Sequence, residues 1–311
     1  MHRLLFYLPA GRRIANLLRK SSTRLDTPTF LDSVASAHRH RQAWGEAREP
    51  GPKTVLEVGT GWNPVQPIAH FLCGTERVDT WDIESLVSSA SLARVIRFFL
   101  SPAHVDSWQS CLPSFQPDRV RHLQKSADGL LRLSPREALA HLNIHLHLGF
   151  PEPGGQSSGY DLSFSHSVLQ YFPALELRRL LRGLHDLAGP RGVTTHWISL
   201  SDQFARFDPS ISPYNFLRFS DAAWRWLDSP LIPLSRLRSS EYLGAFADAG
   251  WVSHSCEKIL GPPLDPARDR LAPRFQAMDP EDIRVVGLWW QGRRSSAGPA
   301  APPIPGPGAT P

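Results

Sequence analysis

Residues Val55–Pro64 read V-L-E-V-G-T-G-W-N-P, a short apolar run that ends in a pair of glycines. The apolar run predicts a buried strand, and Gly59 and Gly61 predict a turn in which a ligand can approach the backbone closely. Helical spacing resumes over Pro67–Leu72, so the stretch predicts a strand, a glycine turn and a helix. Such a unit opens a doubly wound sheet, where ligands bind at the carboxyl ends of the strands.

An acid, Glu57, stands inside the end of this strand, ahead of the glycines. A nicotinamide-binding loop has no acid at this position and requires a third glycine where Pro64 stands. The stretch therefore indicates a loop for another cofactor. One alternative is left open, namely a tight structural turn in which Glu57 caps a nearby helix.

A second strand is predicted over Val78–Ile83, where apolar and polar residues alternate up to an acid, Asp82. Asp82 follows Gly61 by 21 residues. A carboxylate at the end of the second strand can accept hydrogen bonds from both hydroxyls of a ribose. The structural alternative is that Asp82 caps the end of its own strand.

Four segments in order resemble the class I S-adenosylmethionine-dependent methyltransferases. E-V-G-T-G resembles the E/D-x-G-x-G motif of that family, and the strand that ends in Asp82 follows it. Y-D-L-S-F-S-H-S-V-L-Q-Y-F at Tyr160–Phe172 is similar to the fourth strand and its turn, and Gly189–Gly192 precedes a fifth strand, V-T-T-H-W-I-S-L. The resemblance covers Lys53–Leu200.

The resemblance implies an α/β fold with a doubly wound, mostly parallel seven-stranded sheet and an antiparallel C-terminal strand. Strands near Val252–Leu260 and over Ile283–Trp290 would form the terminal antiparallel hairpin. We expect a helical N-terminal extension over 1–50, a methyltransferase domain over 51–292, and a disordered Pro/Gly/Ala-rich tail over 293–311. Residues 201–240 form a lid-like insertion after the fifth strand, similar to that of a bacterial branch of the family.

The resemblance also implies a methyl donor, S-adenosyl-L-methionine, with no metal. The residues that it places around the donor are Glu57, Gly59, Thr60, Gly61, Asp82, Ile83 and Ser165. Relatives often carry an acid or amide after the third strand to meet the adenine amino group, whereas Gly149 and Phe150 stand there, with Glu152 as a substitute. The Glu-His pair of some relatives is replaced by Gln170 and Tyr171, so its proton chemistry is not carried over.

Methyl transfer from a sulfonium needs alignment and, for a hydroxyl or protonated amine, removal of a proton. His196 in the fifth strand is the first candidate base, and the alternative is a histidine bonded within the sheet or to Asp202. His166 is the second candidate and Tyr171 the third, while Asp202 could orient a histidine or bind the acceptor. The acceptor-side candidates are Tyr171, Tyr214, Asn215, Arg218, Arg236 and Arg238. Ion pairs of the arginines with Asp208, Asp221 or Glu241 are the more frequent use of such residues.

Composition sets further bounds. The 311 residues suffice for one large α/β domain with additions or for two small domains, and no apolar run is long enough to span a bilayer. Three cysteines far apart indicate neither a disulfide framework nor a zinc site, which fits a reducing cytoplasm. The net charge of +5 permits an anionic partner, but isolated arginine pairs are more typical of solvated helix faces.

Histidines in two further places are interpreted as ordinary polar residues. His38 and His40 lie in a polar helical stretch and predict a solvated face. His145 and His147 share one face of a strand, and exposed or hydrogen-bonded side chains are favoured over a metal site. The first 20 residues do not fit a secretion signal, and their amphipathic helix is expected to pack on its own domain rather than on a membrane.

The sequence therefore predicts transfer of a methyl group from S-adenosylmethionine to oxygen or nitrogen of a small-molecule or glycan-like acceptor. Two alternatives remain: a non-catalytic scaffold that binds the donor, and a methyltransferase of nucleic acid, which only the basic pI supports.

Overall fold

A seven-stranded sheet lies at the centre of the computed structural model, which describes residues 25–45, 51–154, 159–206, 208–227 and 234–295. The strands are β1 (Thr54–Val58), β2 (Arg77–Asp82), β3 (Ile144–Leu148), β4 (Tyr160–His166), β5 (Ala188–Ser199), β6 (Trp251–Leu260) and β7 (Val285–Arg294). Their order across the sheet is β3-β2-β1-β4-β5-β7-β6. The first five strands are parallel, and β7 runs antiparallel between β5 and β6.

Helices connect the strands and cover the sheet. In chain order they are α1 (Thr27–Gln42), α2 (Val65–Leu72), α3 (Ser89–Leu100), α4 (Val105–Cys111), α5 (Pro117–Leu130), α6 (Pro135–Ala140), α7 (Ala174–Leu187), α8 (Asp221–Leu227), α9 (Ser239–Asp248), α10 (Pro273–Gln276) and α11 (Pro280–Arg284). Polar residues cap the N-termini of three helices. Asp26 accepts from Thr29 N at the start of α1, and Ser88 and Ser134 form capping boxes at the starts of α3 and α6.

Two apolar cores lie on opposite faces of the sheet. On one face, Val55, Val78 and Phe164 pack with residues of α1 to α6. On the other face, Leu56, Val58 and Trp290 pack with α7 and α9. Because successive residues of a strand point to opposite faces, a strand that is covered on both sides carries apolar residues on both, as β1 does with Val55 on one face and Leu56 and Val58 on the other.

The insertion has a core of its own at the carboxyl end of β5. Tyr214, Phe216 and Leu217 pack against Ala272, Phe275 and Ile283 from the connection between β6 and β7. Leu200 N donates to Val286 O, 2.9 Å away, which ties the start of the insertion to β7. The insertion is therefore supported by a segment that lies about 55 to 70 residues further along the chain.

The expected fold class is confirmed, since the sheet has seven strands, is mostly parallel, and ends in the antiparallel pair β6 and β7. One interpretation is wrong: His40 is fully buried against the sheet, not on a solvated face. β7 also continues through Arg294, so the first two residues of the expected tail belong to the sheet. The amphipathic segment over 1–20 and the tail from residue 296 lie outside the described residues.

No helix within the described ranges is both long enough and apolar enough to cross a membrane.

Candidate functional site

The loop after β1 has the backbone of a ligand-binding turn. Gly59 and Gly61 have φ values of +90° and +64°, which residues with a Cβ rarely adopt. A Cβ at Gly61 would meet no atom within 4 Å, so the space over this residue is open. A Cβ at Gly59 would lie 2.3 Å from Val168 Cγ2, because the turn after β4 rests on this loop.

Asp82 at the end of β2 faces the same loop. Its Oδ2 accepts from Gly61 N at 2.9 Å, and its Oδ1 accepts from Glu84 N at 3.2 Å. Burial raises the pKa of Asp82 above its ordinary value, while the hydrogen bonds from Gly61 and Glu84 act in the opposite direction. A carboxylate has about four acceptor positions, and the backbone N–H groups of Gly61, Glu84 and Ile83 do not fill all of them, so Asp82 can still accept from a ligand.

Glu57 lies under the loop and is 4% exposed. Thr80 Oγ1 donates to Glu57 Oε2 at 2.7 Å, and Thr60 and Thr80 share a hydrogen bond between their hydroxyls. Burial raises the pKa of Glu57 to about 8, against the opposing effect of the bond from Thr80. Glu57 therefore braces the loop through two threonines and does not cap a helix.

A cavity of about 260 Å³ adjoins the loop, and Thr60, Asp82 and Leu148 are among its lining residues. Ile83, which follows Asp82, is 63% exposed. The open backbone at Gly61, the carboxylate of Asp82 and this apolar side chain fit a nucleoside cofactor whose ribose lies on Asp82. Within the described residues, no group of three or more His, Cys, Asp or Glu side chains is arranged to hold a metal ion.

His196 does not open onto this site. It is fully buried, its Nδ1 lies 2.8 Å from Ser165 Oγ, and its Nε2 lies 2.8 Å from Thr194 Oγ1. Its ring stacks on Phe246 with centroids 5.3 Å apart, and burial lowers its pKa to about 3. Both ring nitrogens are engaged, so the geometry supports the sheet-bonded alternative for His196, with the fully buried Ser165 as one of its partners.

His166, the second candidate base, lies at the end of β4 and is only partly buried. Its Nδ1 lies 3.4 Å from His40 Nε2, and its ring lies near Trp197 and Trp289. Among the described residues, Nε2 of His166 has no hydrogen-bond partner. Burial, with the nearby charge of Arg206, lowers the pKa of His166 to about 4. The ring is therefore neutral at pH 7 and keeps one nitrogen open.

Asp202 orients neither histidine. It is 3% exposed, and its carboxylate accepts from Phe204 N at 2.8 Å and from Asn215 Nδ2 at 3.1 Å. These bonds fold the insertion onto the end of β5. Tyr171 joins the same region, since its hydroxyl accepts from Gln203 Nε2 at 2.7 Å.

Three of the acceptor-side candidates are buried structural residues. Tyr214 donates to Pro262 O at 2.6 Å, and Arg236 pairs with Asp221 and bonds the carbonyl of Phe219. Arg238 donates to the carbonyls of Leu200 and Ile283 at 2.9 Å and to that of Val285. Their geometry argues against acceptor binding and supports the ion-pair alternative for Arg236. Arg218 is exposed, and its Nη1 lies 3.5 Å from Asn215 Oδ1.

Sequence reasoning missed His40, Thr80 and Gln203. A signal for His40 was present, because Phe30, Val34, Ala37 and His40 recur at helical spacing and all four are buried. Thr80 stands two residues before Asp82, so both side chains point to one face of β2. No local pattern marks Gln203. His147, by contrast, is hydrogen-bonded as favoured, with Nε2 2.6 Å from Asp79 Oδ1.

Comparisons with known proteins give likenesses at the level of structure. No family model matches the chain, and no curated protein matches it. A geranyl diphosphate C-methyltransferase from Streptomyces coelicolor A3(2), solved with S-adenosyl-L-homocysteine, is 14% identical; the match covers 84% of this chain and 75% of that one, with a TM-score of 0.45. A candidate methyltransferase from Bacillus halodurans C-125 is 11% identical, over 85% of this chain and 99% of that one, with a TM-score of 0.44.

A third solved structure, a candidate sarcosine dimethylglycine methyltransferase from Galdieria sulphuraria, is 11% identical and covers 85% of each chain, with a TM-score of 0.43. At identities and TM-scores this low, the likenesses carry no argument of their own, and the fold is assigned from the chain's own topology. In this chain the strand order, the antiparallel β7, and the glycine loop facing an acid at the end of β2 occur together. The chain therefore has the fold of the class I S-adenosylmethionine-dependent methyltransferases, as its sequence motifs indicate.

Proposed function

We propose that this chain is an S-adenosylmethionine-dependent methyltransferase, located in the cytoplasm, that methylates oxygen or nitrogen of a small-molecule or glycan-like acceptor. The observation that carries the proposal is the Asp82 carboxylate, held against the open backbone of Gly61 at the carboxyl ends of β1 and β2. Asp82 would accept the ribose hydroxyls, and the exposed Ile83 would cover one side of the base. The bound donor would supply a methyl group from its sulfonium sulfur. The rest of the donor would leave as a neutral thioether.

The residues of the chain then have two tasks, to align the acceptor and to take up its proton. His166 is the better base on geometry, because its Nε2 is open whereas both nitrogens of His196 are engaged. Tyr171, Asn215 and Arg218 remain acceptor-side candidates, since each lies in or against the insertion and is partly or fully exposed. As the acceptor gains the methyl group, its proton passes to His166 Nε2.

Calorimetric titration of the purified chain with S-adenosylmethionine and with S-adenosylhomocysteine tests the donor site. We expect both to bind with one-to-one stoichiometry. Absence of heat and of any competition between the two ligands, at concentrations far above those that saturate ordinary sites, would refute the proposal.

Release of S-adenosylhomocysteine over a panel of small hydroxyl and amine acceptors separates an enzyme from a scaffold. Sustained release that depends on the acceptor supports the enzyme, whereas tight donor binding without release from any acceptor supports the scaffold. A nucleic-acid acceptor would show itself by binding that weakens steeply with salt.

Loss of turnover in His166→Ala, with donor affinity kept, would assign the base.

A further inference from the structure

A buried histidine from the N-terminal helix contacts the candidate base. His40 on α1 is fully buried, and its Nε2 lies 3.4 Å from His166 Nδ1. The two rings meet edge to face, with an angle of 88° between their planes. On its other side, His40 Nδ1 lies 3.3 Å from Thr195 Oγ1 in β5. Three side chains from α1, β4 and β5 thus form a row that ends at the open Nε2 of His166.

Aromatic side chains pack around the His40 ring and fix its position. Its ring lies between Phe164 and Trp289, at centroid distances of 4.9 and 4.8 Å. Trp289 is itself covered by the guanidinium of Arg39, 4.1 Å from the ring centroid. Burial, the largest cause, and the neighbouring histidines and Arg39 lower the pKa of His40 well below its ordinary value. Both His40 and His166 are therefore neutral at pH 7.

Neutral imidazoles give this row a direction. Each neutral ring has one N–H donor and one acceptor nitrogen, so the bond between the two rings can run in only one of two ways. If His166 Nδ1–H donates to His40 Nε2, then His40 Nδ1–H donates to the hydroxyl oxygen of Thr195. The outer Nε2 of His166 is then an acceptor. If the Thr195 hydroxyl donates instead, every bond reverses, and His166 presents an N–H outward.

We propose that His40 is a positioning residue for His166: it accepts a hydrogen bond from His166 Nδ1, passes its own N–H to Thr195, and so keeps His166 Nε2 free to take a proton. This inference rests on the proposed function, because a base at His166 Nε2 is what selects the first of the two directions. The arrangement has the logic of a general base whose far nitrogen is held by a second group. Here the second group is a neutral imidazole and not a carboxylate, so it fixes orientation and tautomer without adding a charge.

The tautomer can be measured directly on the full chain without any acceptor. Long-range proton–nitrogen correlation spectra of histidine-¹⁵N-labelled protein at pH 7.5 distinguish a protonated from an unprotonated ring nitrogen. We expect His166 to carry its proton on Nδ1 and to leave Nε2 unprotonated. A wild-type spectrum with the His166 proton on Nε2 would overturn the proposal before any variant is made.

Two substitutions at His40 then separate positioning from packing. Glutamine can accept from His166 through its amide oxygen and donate to Thr195 through its NH₂, so His40→Gln should keep the Nδ1–H tautomer of His166. His40→Phe preserves ring volume but accepts no hydrogen bond, so His166 should shift to the Nε2–H tautomer that a histidine side chain favours in water. An unchanged His166 tautomer in a folded His40→Phe protein would contradict the inference.

His70→Phe provides the matched control. His70 is also buried and also packs against Phe164, with centroids 5.0 Å apart, but no hydrogen bond of its ring nitrogens to another described residue is formed. We expect the His166 tautomer to be unchanged in this variant. A shift equal to that of His40→Phe would mean that loss of packing moves the proton, which would also refute the proposal. Donor binding by calorimetry is independent of these spectra, so failure of the donor site and failure of this inference are told apart.

Discussion

Asp82 and Asp161 are two carboxylates with the same local contacts at opposite ends of the sheet. Asp82 accepts from the backbone N–H groups of Gly61 and Glu84 at the carboxyl end. Asp161 accepts from those of Lys53 and Thr54, at 2.7 and 3.1 Å, at the amino end. Only Asp82 lies where a doubly wound fold binds its ligand. Substitutions at the two positions therefore distinguish an effect on ligand binding from an effect on backbone hydrogen bonds.

Asp82→Asn should weaken binding of S-adenosylhomocysteine at least about tenfold, because hydrogen bonds to a charged group are worth about 1.5–3 kcal/mol each. Asp161→Asn, the control, removes the same charge beside two backbone N–H groups and should leave the affinity unchanged. Calorimetric titration of both variants measures the difference. Equal affinities for Asp82→Asn and the wild type would show that the ribose does not lie on Asp82.

Glu57 makes the stability of the fold depend on pH. Its pKa is raised from 4.5 to about 8 on folding, so the folded chain binds more protons than the unfolded chain between these two values. The free energy of unfolding should therefore be highest below the lower value and fall as pH rises through the window. A tenfold change in the proton affinity of one group corresponds to about 1.4 kcal/mol.

Glu57→Gln should flatten this pH dependence, because the neutral amide can still accept from Thr80 and never ionises. Urea unfolding of both proteins at several pH values between 4.5 and 8 gives the two slopes. If the free energies of unfolding of the wild type and the variant fall in parallel as pH rises, other groups cause the pH dependence. Ionisation of Glu57 would then not destabilise the fold.

At the scale of elements, Arg238 joins the end of β5 to the start of β7. It is fully buried, and its guanidinium donates to the carbonyls of Leu200, Ile283 and Val285. Removal of the guanidinium leaves three buried carbonyls without this donor. Arg238→Ala should lower the free energy of unfolding by about 3 kcal/mol or more. Arg218→Ala, at an exposed position, should change it by no more than about 0.5 kcal/mol. Denaturant unfolding measures both, and a change in Arg238→Ala as small as that in the control would contradict the assigned role.

Elements with strong local patterns could be predicted from the sequence, and long-range partners could not. The apolar run before Gly59 and the segment that ends in Asp82 indicate β1 and β2 without knowledge of the rest of the chain. The partners of Arg238 lie up to 47 residues away, so no local pattern distinguishes it from a ligand-binding arginine. His196 was ambiguous for another reason: both faces of β5 are covered, so alternation along the strand carries no information about exposure.

At the scale of the whole molecule, the strands differ in how deeply they are buried. Four of the five residues of β1 are buried, whereas every residue of β6 after Trp251 is exposed. Amide hydrogen exchange should therefore be slowest in β1 and β4, at free energies near that of global unfolding, and faster in β6, where local opening suffices. Exchange followed by mass spectrometry or NMR tests this order, and equal protection of β1 and β6 would contradict it.

The candidate site was predictable in outline at this scale, because the carboxyl ends of neighbouring parallel strands meet at one edge of the sheet. Gly59, Gly61 and Asp82 meet there as expected. The order of the two candidate bases was not predictable, since it depends on which nitrogens find partners inside the sheet. His40 comes to His166 from a helix more than a hundred residues earlier, and only the folded chain shows that contact.

The close approach of Gly59 and Val168 joins the loop after β1 to the turn after β4. The two residues lie 109 positions apart in the sequence. Val168 follows His166 by two residues, and the intervening Ser167 has a φ of +57°, so this turn has little freedom to relax on its own. A ligand that displaces the loop at Gly59 must therefore move the turn that carries His166, and an acceptor that moves this turn must shift the loop. Thermodynamic reciprocity then requires each ligand to change the affinity for the other by the same factor. Occupancy of the donor site would thus set how tightly the acceptor is held.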